Sequence, residues 1–140
     1  MSLFFKLFTA AHVGLYRATN GAIGARMMGR DVVLLTTTGR KTGIARTTPL
    51  MSFDDAGTTF VIASAGGSPV HPAWFNNLVV NPTVTVQSGA KVYRAEARVV
   101  DEATRARLYA KVASEMSNFA DYEKEAGGRK IPIVALDVKA

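Results

Sequence analysis

The sequence predicts an α+β domain, mainly β, in which antiparallel strands form a small barrel behind an N-terminal amphipathic helix. Three observations lead to this class: short runs of β-branched and apolar residues, turn signals that join most of these runs as hairpins, and few helical segments. The 140 residues fit one domain. A chain of this length buries roughly 68% of its unfolded surface, so it can fold without a disulfide or a metal. We assign residues 1–30 to the helix and a connector, and residues 31–140 to the barrel.

The N-terminal segment is apolar but cannot span a membrane, because Lys6, His12 and Arg17 interrupt it and a span needs about 20 mostly apolar residues. At helical spacing, five apolar residues share one face. This apolar stripe consists of Phe4, Leu7, Phe8, Ala11 and Leu15. Two roles remain open for it: packing against the barrel, or resting on a bilayer surface or beside an apolar substrate.

The remaining elements follow in order along the chain. Residues 20–29 are a connector of small residues, and residues 54–57 and 66–69 carry turn or breaker signals. The predicted strands cover residues 31–35, 47–53, 58–65, 83–87, 91–100 and 131–138. Two further helices are expected over residues 72–80, where proline begins the helix, and 102–116, where Asp101 is the N-cap. The five or six strands, linked mostly by hairpins, indicate an antiparallel barrel.

The net charge of +6, from 17 basic and 11 acidic residues, favours an acidic ligand, a nucleic acid or an anionic membrane surface as partner. Cysteine is absent, which excludes disulfides, thiolate catalysis and sulfur-ligated metals. The two histidines, His12 and His71, lack metal-ligand spacing, so we expect no metal site. The expected location is the cytoplasm, with peripheral contact at the inner face of the cell membrane as an alternative that the N-terminal helix leaves open.

A cationic turn between two strands is the most specific local feature. Arg40 and Lys41 lie between Gly39 and Gly43 at a predicted hairpin tip, and Arg46 follows on the returning strand. Backbone amides and fixed cations together suit a phosphate or a carboxylate. The alternative is an ordinary solvated basic turn. A phosphate loop is excluded, because Arg40 and not glycine precedes the lysine and a hairpin replaces the strand-to-helix passage.

A second constellation lies at the end of the third predicted strand. Small residues from Ile62 to Gly67 would let a flat ligand approach the backbone. On the helix that follows, Trp74 could cover a ring, and Asn76 and Asn77 offer hydrogen bonds. The simpler interpretation of Trp74 is a core residue.

These residues resemble a known family, the deazaflavin-dependent nitroreductases of actinobacteria, also called quinone reductases. The resemblance runs from about residue 31 to residue 138. It is carried by the segments 34–43, 49–50, 72–78, 81–82, 121–122 and 131–134, together with Arg46. The combination of Thr-Gly-Arg-Lys-Thr-Gly with a later Pro-x-Trp is specific.

The resemblance implies a split β-barrel of the FMN-binding-like kind and binding of coenzyme F-420, a deazaflavin with an anionic phospholactyl-oligoglutamate tail. It also implies hydride transfer from the reduced cofactor to a hydrophobic, electron-poor acceptor such as a quinone, an enone or a nitroaromatic. By resemblance, the tail and phosphate would be held by Arg40, Lys41, Thr42 and Arg46. The neighbouring channel would be lined by Thr47, Thr48, Pro49, Leu50 and Met51. The ring would face Ile62, Ala63, Ser64 and Ala65, and the phosphate side would be closed by Ala73, Trp74, Phe75, Asn76 and Asn77.

The acceptor would lie against Met116, Phe119 and Tyr122, positions at which the best-known nitroimidazole-activating members carry tyrosines. Of these three positions, only Tyr122 carries a tyrosine in this chain, and Ala65 stands where those members have a lysine. The catalytic proton would come from Tyr122, Ser64 or water.

Two other classes remain as alternatives. An FMN enzyme on the same barrel would also need phosphate-binding cations and a platform for its ring. A nucleic-acid-binding barrel would use the basic surface, but Tyr93, Arg94 and Arg98 give only a weak aromatic and cationic pattern, with Glu96 on the same strand face. The preferred partner is therefore a small hydrophobic acceptor and not a nucleic acid, and the oligomeric state stays open.

Overall fold

A computed structural model of the chain describes residues 3–27 and 30–139. Its helices are α1 (Leu3–Ala18), α2 (Ala73–Val80), α3 (Glu102–Glu115) and α4 (Ser117–Glu125). Its strands are β1 (Arg26–Met27), β2 (Arg30–Thr38), β3 (Ala45–Met51), β4 (Phe53–Asp55), β5 (Thr58–Ile62), β6 (Thr83–Ser88), β7 (Lys91–Val99) and β8 (Ile133–Val138).

All the strand pairs are antiparallel, in the order β1-β2-β6-β7-β8-β5-β4, with β3 paired to β2. Within the described part of the chain, β3 pairs with β2 alone, so its other edge is open. Pro49 is tolerated there because an edge strand can lack one donor. The sheet curls into a half-barrel with a gap beside β3. This architecture confirms the predicted α+β class and the split antiparallel barrel.

The core has two main parts that meet at the sheet. One part fills the barrel and is capped by Trp74, Phe75 and Leu78 of α2. The other lies under α3 and α4, where Phe119 packs with residues of β5 and β8. Because residues of both β3 and α4 surround the gap, the gap opens next to α4.

The predicted apolar stripe of α1 does not pack on the barrel. Leu7 and Phe8 are 61% and 62% exposed, and Leu15 is 49% exposed, while the side chain of Phe4 lies outside the described residues. The docking residue is instead Tyr16, which is fully buried; its hydroxyl donates to the Val32 carbonyl at 2.7 Å and accepts from the Gly89 amide at 2.8 Å. These polar contacts fix which face of α1 turns inward. No helix of the described residues is long and apolar enough to cross a membrane.

Several element boundaries differ from the sequence prediction. Helix α4 was not predicted, and β1 falls within the predicted connector. The predicted turn at 54–57 is narrower, because Asp54 and Asp55 pair with β5. The predicted strand 58–65 ends at Ile62, since Ala65, Gly66 and Gly67 adopt positive φ and form a short 3-10 turn. The N-cap at Asp101 is confirmed, because its carboxylate accepts from the Thr104 amide at 2.8 Å.

Candidate active site

The cationic turn forms the tip of the β2–β3 hairpin, as predicted. The Gly39 amide donates to the Ile44 carbonyl at 2.9 Å, and the Gly43 amide donates to the Gly39 carbonyl at 2.8 Å. Gly43 has φ of +71°, a conformation that glycine adopts at little cost. The Thr42 hydroxyl accepts from the Ile44 amide at 3.2 Å, so this predicted ligand residue also stabilises the turn itself.

The tip carries positive charge that the described residues do not neutralise. Arg40, Lys41 and Arg46 are exposed, and no carboxylate of residues 3–27 or 30–139 forms an ion pair with them. Elsewhere, ion pairs are common: Arg98 pairs with Asp137 at 2.8 Å, for example. Three unneutralised cations at one hairpin tip fit an anionic ligand.

A residue of helix α2 binds the backbone of this tip and so helps to fix its position. The side-chain oxygen of the buried Asn77 accepts from the Arg40 backbone amide, and its nitrogen donates to the Thr37 hydroxyl at 3.3 Å. Trp74 and Phe75 are buried in the barrel core, whereas Ala73 is exposed and Asn76 is half-buried. Trp74 and Phe75 therefore anchor α2 in the core, and Asn77 is the α2 residue in contact with the tip.

The gap beside β3 holds a cleft of about 180 Å³. Seven of the predicted site residues line it: Pro49, Leu50, Met51, Ile62, Ser64, Phe119 and Tyr122. Two lining residues, Phe53 and Asn118, were missed by sequence reasoning, while Gly66 belongs to the small-residue segment that was expected to approach a flat ligand. Asn118 lies on α4, the helix that the sequence did not predict. Phe53 begins β4, two residues after the end of β3, and could have been inferred from the predicted strand 47–53, which contained it.

Strand β3 connects the cationic tip with the cleft. Arg46 lies near the tip, Thr47 and Thr48 follow as half-buried residues, and Met51 lines the cleft. Five residue steps along a strand cover about 17 Å. A ligand with a flat ring and an extended anionic tail would therefore match the spacing of the two features.

The cleft contains a tyrosine hydroxyl oriented by a neighbour. The Asn118 side-chain nitrogen donates to the Tyr122 hydroxyl at 3.2 Å, and the Tyr122 ring packs edge-on against Phe119 at 5.3 Å. The Tyr122 O–H donates to no described residue, and the Ser64 hydroxyl likewise has no hydrogen bond there. Both groups are available to a molecule in the cleft.

Three of the residues predicted to face the ring or the acceptor do not line the cleft, and neither do Thr47 and Thr48 of the predicted channel. Ala63 is fully buried and Ala65 is exposed on the loop above it. Met116 lies in the core cluster that contains Phe119, so it supports the cleft wall from behind.

A second cavity of about 380 Å³ adjoins the cleft, and Phe53 and Ile62 line both. Its floor is apolar and includes Leu108 and Val112 of α3. Seven charged residues also line it, and six of them form ion pairs, as between Lys111 and Asp55; the seventh, Asp54, accepts from the Thr59 hydroxyl at 2.9 Å. The second cavity therefore adds apolar side chains beyond those of the cleft.

Comparison with known proteins agrees with this geometry. The family described as F420H(2)-dependent quinone reductase matches residues 9–137. An F420H(2)-dependent quinone reductase of Mycobacterium tuberculosis is 38% identical over 129 residues, which are 89% of this chain and 86% of that protein.

Two solved structures are also similar. One is an F420-H2 dependent reductase that is 36% identical, with a TM-score of 0.67, over 76% of this chain and 93% of that one. The other is described as a domain-swapped dimer and is 32% identical, with a TM-score of 0.69, over 97% of this chain and 100% of that one. The cationic hairpin, the adjoining cleft and these matches together place the chain in the F420H(2)-dependent quinone reductase family.

Proposed function

We propose that this protein is an oxidoreductase that transfers a hydride from reduced coenzyme F-420 to a quinone or a similar flat, electron-poor acceptor. One observation carries the proposal: strand β3 runs from a hairpin tip with three unneutralised cations to an apolar cleft. That arrangement suits a cofactor with an anionic tail and a flat ring. Family membership supports the same cofactor and reaction.

The residues present fit the cofactor chemically. Arg40, Lys41 and Arg46 would hold the anionic tail, with the Thr42 turn beneath it. Pro49, Leu50, Met51, Ile62 and Ser64 would surround the ring. Residues 73–77 of α2 would close the phosphate side, where Asn77 already binds Arg40. When bound, the reduced deazaflavin supplies the hydride.

The chain itself contributes orientation, exclusion of water and a proton. Apolar walls such as Leu50 and Phe119 keep the ring and the acceptor against each other and displace water. A quinone that receives a hydride needs one proton to become a hydroquinone. Tyr122 can donate that proton from its hydroxyl, which Asn118 orients, and bulk water then reprotonates the tyrosine. Ser64 is the second candidate donor, because its hydroxyl faces the same cleft.

The adjoining cavity supports acceptors that carry an apolar substituent. The cleft alone is close to the size of a small ring system, while the cavity beyond Phe53 and Ile62 adds about 380 Å³ with an apolar floor. Because six of its seven charged residues are ion-paired and Asp54 has a hydrogen bond from Thr59, a neutral extension could bind beside them without breaking an ion pair. Acceptors with an alkyl substituent should therefore bind more tightly than the bare ring.

We also propose reversible contact of α1 with an anionic bilayer. The support is the exposed stripe of Leu7, Phe8, Ala11 and Leu15 with the exposed cations Lys6 and Arg17 on the same helix, although Arg17 also donates to the Thr47 hydroxyl of β3 at 2.9 Å. The alternative role of the same stripe is contact between two copies of the chain, and an experiment must distinguish it from bilayer contact.

Titration of the purified protein with coenzyme F-420, FMN and single-stranded DNA tests the assignment. We expect saturable binding of the deazaflavin, weaker binding of FMN, and hydroquinone formation when reduced cofactor and a soluble quinone are added together. Tighter binding of FMN, with turnover from reduced FMN alone, would make the protein a flavin enzyme on the same barrel. Binding of DNA without either cofactor would overturn the enzyme assignment.

A further inference from the structure

A single guanidinium holds the loop that borders the cleft. Arg129, in the segment between α4 and β8, donates from Nη1 to the Ala63 carbonyl at 3.1 Å, from Nη2 to the Ser64 carbonyl at 2.8 Å and from Nε to the Ser68 carbonyl at 3.0 Å. These three acceptors span the end of β5 and the 3-10 turn. Arg129 is only partly exposed, and burial lowers its pKa, although an arginine remains charged at any ordinary pH.

The loop has a backbone conformation that gathers amide groups. Ser64 is right-handed, with φ of −74° and ψ of −34°, and Ala65 and Gly66 follow with φ of +49° and +62°. A right-handed residue followed by a left-handed one forms a concave nest of consecutive N–H groups. The amides of Ser64, Ala65 and Gly66 have no acceptor within the part of the chain that the structure describes.

We propose that Arg129 is a positioning residue for the reaction. By binding the carbonyls of Ala63, Ser64 and Ser68 on one side of the loop, it fixes the amides of Ser64, Ala65 and Gly66 as a donor site for the ring. The ligand of this nest is the electron-rich edge of the bound ring, a carbonyl oxygen or a deprotonated ring nitrogen. This inference rests on the proposed function, since it concerns the ring of the same cofactor.

The location of the loop supports this role. Ser64 and Gly66 both line the cleft, so the nest lies at its border and not on a distant surface. A guanidinium can bond several carbonyls at once because it presents five N–H groups in a fixed plane. Lysine would supply the same charge but carries its three donors on one flexible nitrogen, so it would lack the fixed fork that distributes these bonds over Nε, Nη1 and Nη2.

Arg129 also connects the loop to α2 through His71. Its Nη1 lies 2.8 Å from His71 Nδ1, and because arginine only donates, Nδ1 must be the acceptor and the neutral ring carries its proton on Nε2. The His71 ring packs on Phe75 at 4.8 Å. Motion of Arg129 would therefore disturb both the ring-facing loop and the helix under the cationic tip.

The test compares Arg129→Lys and Arg129→Ala with the control Arg105→Lys. Arg105 is a well-matched control, because it is also partly buried and donates to a backbone carbonyl, that of Ile131, but lies away from the cleft. Each protein is titrated with full-length coenzyme F-420 and with a deazaflavin that lacks the phosphate and the tail. The absorption spectrum of the bound ring is recorded, and thermal melting reports folding.

Both Arg129 variants should bind the tail-less deazaflavin at least about tenfold more weakly, which is the scale of one lost charge-assisted hydrogen bond. Full-length cofactor should still bind through the tip, but its ring spectrum should move towards that of the free ring. Added guanidinium ion should partly restore the spectrum in Arg129→Ala. Arg105→Lys should behave as the wild type does.

The inference is overturned if folded Arg129 variants keep wild-type affinity for the tail-less deazaflavin and an unchanged ring spectrum. If the variants do not fold, amide chemical shifts of the wild type decide the matter. The chemical shifts of the Ser64, Ala65 and Gly66 amides should change on addition of the tail-less deazaflavin. Unchanged shifts in the protein with the ring bound would show that these amides do not bind the ring. Failure of the wild type to bind any deazaflavin would instead refute the proposed function.

Discussion

The side-chain oxygen of Asn77 accepts two hydrogen bonds from Arg40, one from its backbone amide at 3.1 Å and one from its guanidinium at 3.2 Å. Asn77 is 5% exposed, so this contact joins a buried residue of α2 to an exposed cation at the hairpin tip. The same residue thus contributes to the fold and to the geometry of the proposed tail site. A change at Asn77 should affect both.

Replacement of Asn77 by alanine should lower the free energy of unfolding by about 1–3 kcal/mol, because it leaves the buried Thr37 hydroxyl and the Arg40 amide without a partner. Cofactor affinity should fall as well, since the Arg40 guanidinium loses its anchor. Urea unfolding and cofactor titration measure the two effects. Asn76→Ala is the matched control for stability, because the Asn76 side chain has no hydrogen bond to any described residue. Equal stability of the two variants would contradict the prediction.

Removal of any one of Arg40, Lys41 and Arg46 should weaken binding of full-length cofactor by about 1–3 kcal/mol, the scale of a charge-assisted hydrogen bond. The thermal stability of Lys41→Ala and Arg46→Ala should hardly change, because both side chains are exposed and lack ion pairs to described residues. Affinity should also fall with added salt. The tail-less deazaflavin serves as the control ligand, and equal losses for both ligands would argue against a tail site at the tip.

Gly67 and Gly66 form a matched pair for testing how closely α4 packs on the ring-facing loop. A Cβ at Gly67 would lie 2.8 Å from the Glu125 carboxylate and 3.1 Å from the Tyr122 backbone, whereas a Cβ at Gly66 would meet nothing within 4 Å. Both residues have positive φ, so each alanine costs on the order of 1 kcal/mol in backbone strain.

Gly67→Ala should therefore be the more destabilising change. It should also reduce quinone turnover, because it pushes away the helix that carries Tyr122 and Phe119. Calorimetry compares the two variants, and steady-state kinetics compares Gly67→Ala with the wild type. A larger loss of stability in Gly66→Ala than in Gly67→Ala would show that α4 does not press on this loop. Turnover of Gly66→Ala does not decide this point, because Gly66 itself lines the cleft.

The sequence predicted those parts of the site that depend on local signals. The hairpin tip was predictable because Gly39, Gly43 and the cations between them are contiguous, and Asp101 marked the start of α3. The helix at 72–80 was predictable from Pro72 and from Asn81 followed by proline.

Features that depend on distant partners were not predictable. The second wall of the cleft is α4, whose sequence is polar outside Phe119 and whose N-cap, Met116, makes no side-chain cap. Arg129 gave no signal either, since its acceptors are backbone carbonyls about 60 residues earlier in the chain. The docking face of α1 was left open, because hydrophobicity identifies the apolar stripe but not the Tyr16 hydroxyl, whose hydrogen bonds select the face that docks.

The stability of the protein should decrease as the pH falls below about 6.5, in part because of His71. Burial, and to a lesser degree the charge of Arg129, lower the pKa of His71 in the folded state. The unfolded state then binds a proton more readily, starting near the ordinary histidine pKa of about 6.5, so acid favours unfolding.

His71→Gln keeps an acceptor for Arg129 but cannot titrate, so its stability should fall less between pH 7 and pH 5.5. Urea unfolding at the two pH values measures the difference. Acidic groups with lowered pKa, such as Asp55 and Glu102, lose their stabilising effect only below about pH 4.5 and so fall outside this window. Identical pH dependence of wild type and His71→Gln would contradict the role of His71.

The two faces of α1 should respond differently to substitution. Tyr16→Phe should lower the free energy of unfolding by about 1–3 kcal/mol, because it leaves the Gly89 amide and the Val32 carbonyl without their hydroxyl partner in a buried site. The double change Leu7→Ser and Phe8→Ser should leave the melting temperature nearly unchanged, since both side chains are already exposed to solvent.

Vesicle binding should follow the opposite order. Co-sedimentation with anionic liposomes should be retained in Tyr16→Phe and lost in the Leu7 and Phe8 double variant, because the exposed stripe supplies the apolar contact. Added salt or neutral lipid should also release the wild type, since Lys6 and Arg17 supply only screened attraction. Sedimentation velocity of the same proteins tests the competing role of the stripe. A wild-type dimer that becomes a monomer in the double variant, without liposome binding in either protein, would assign the stripe to contact between two copies of the chain.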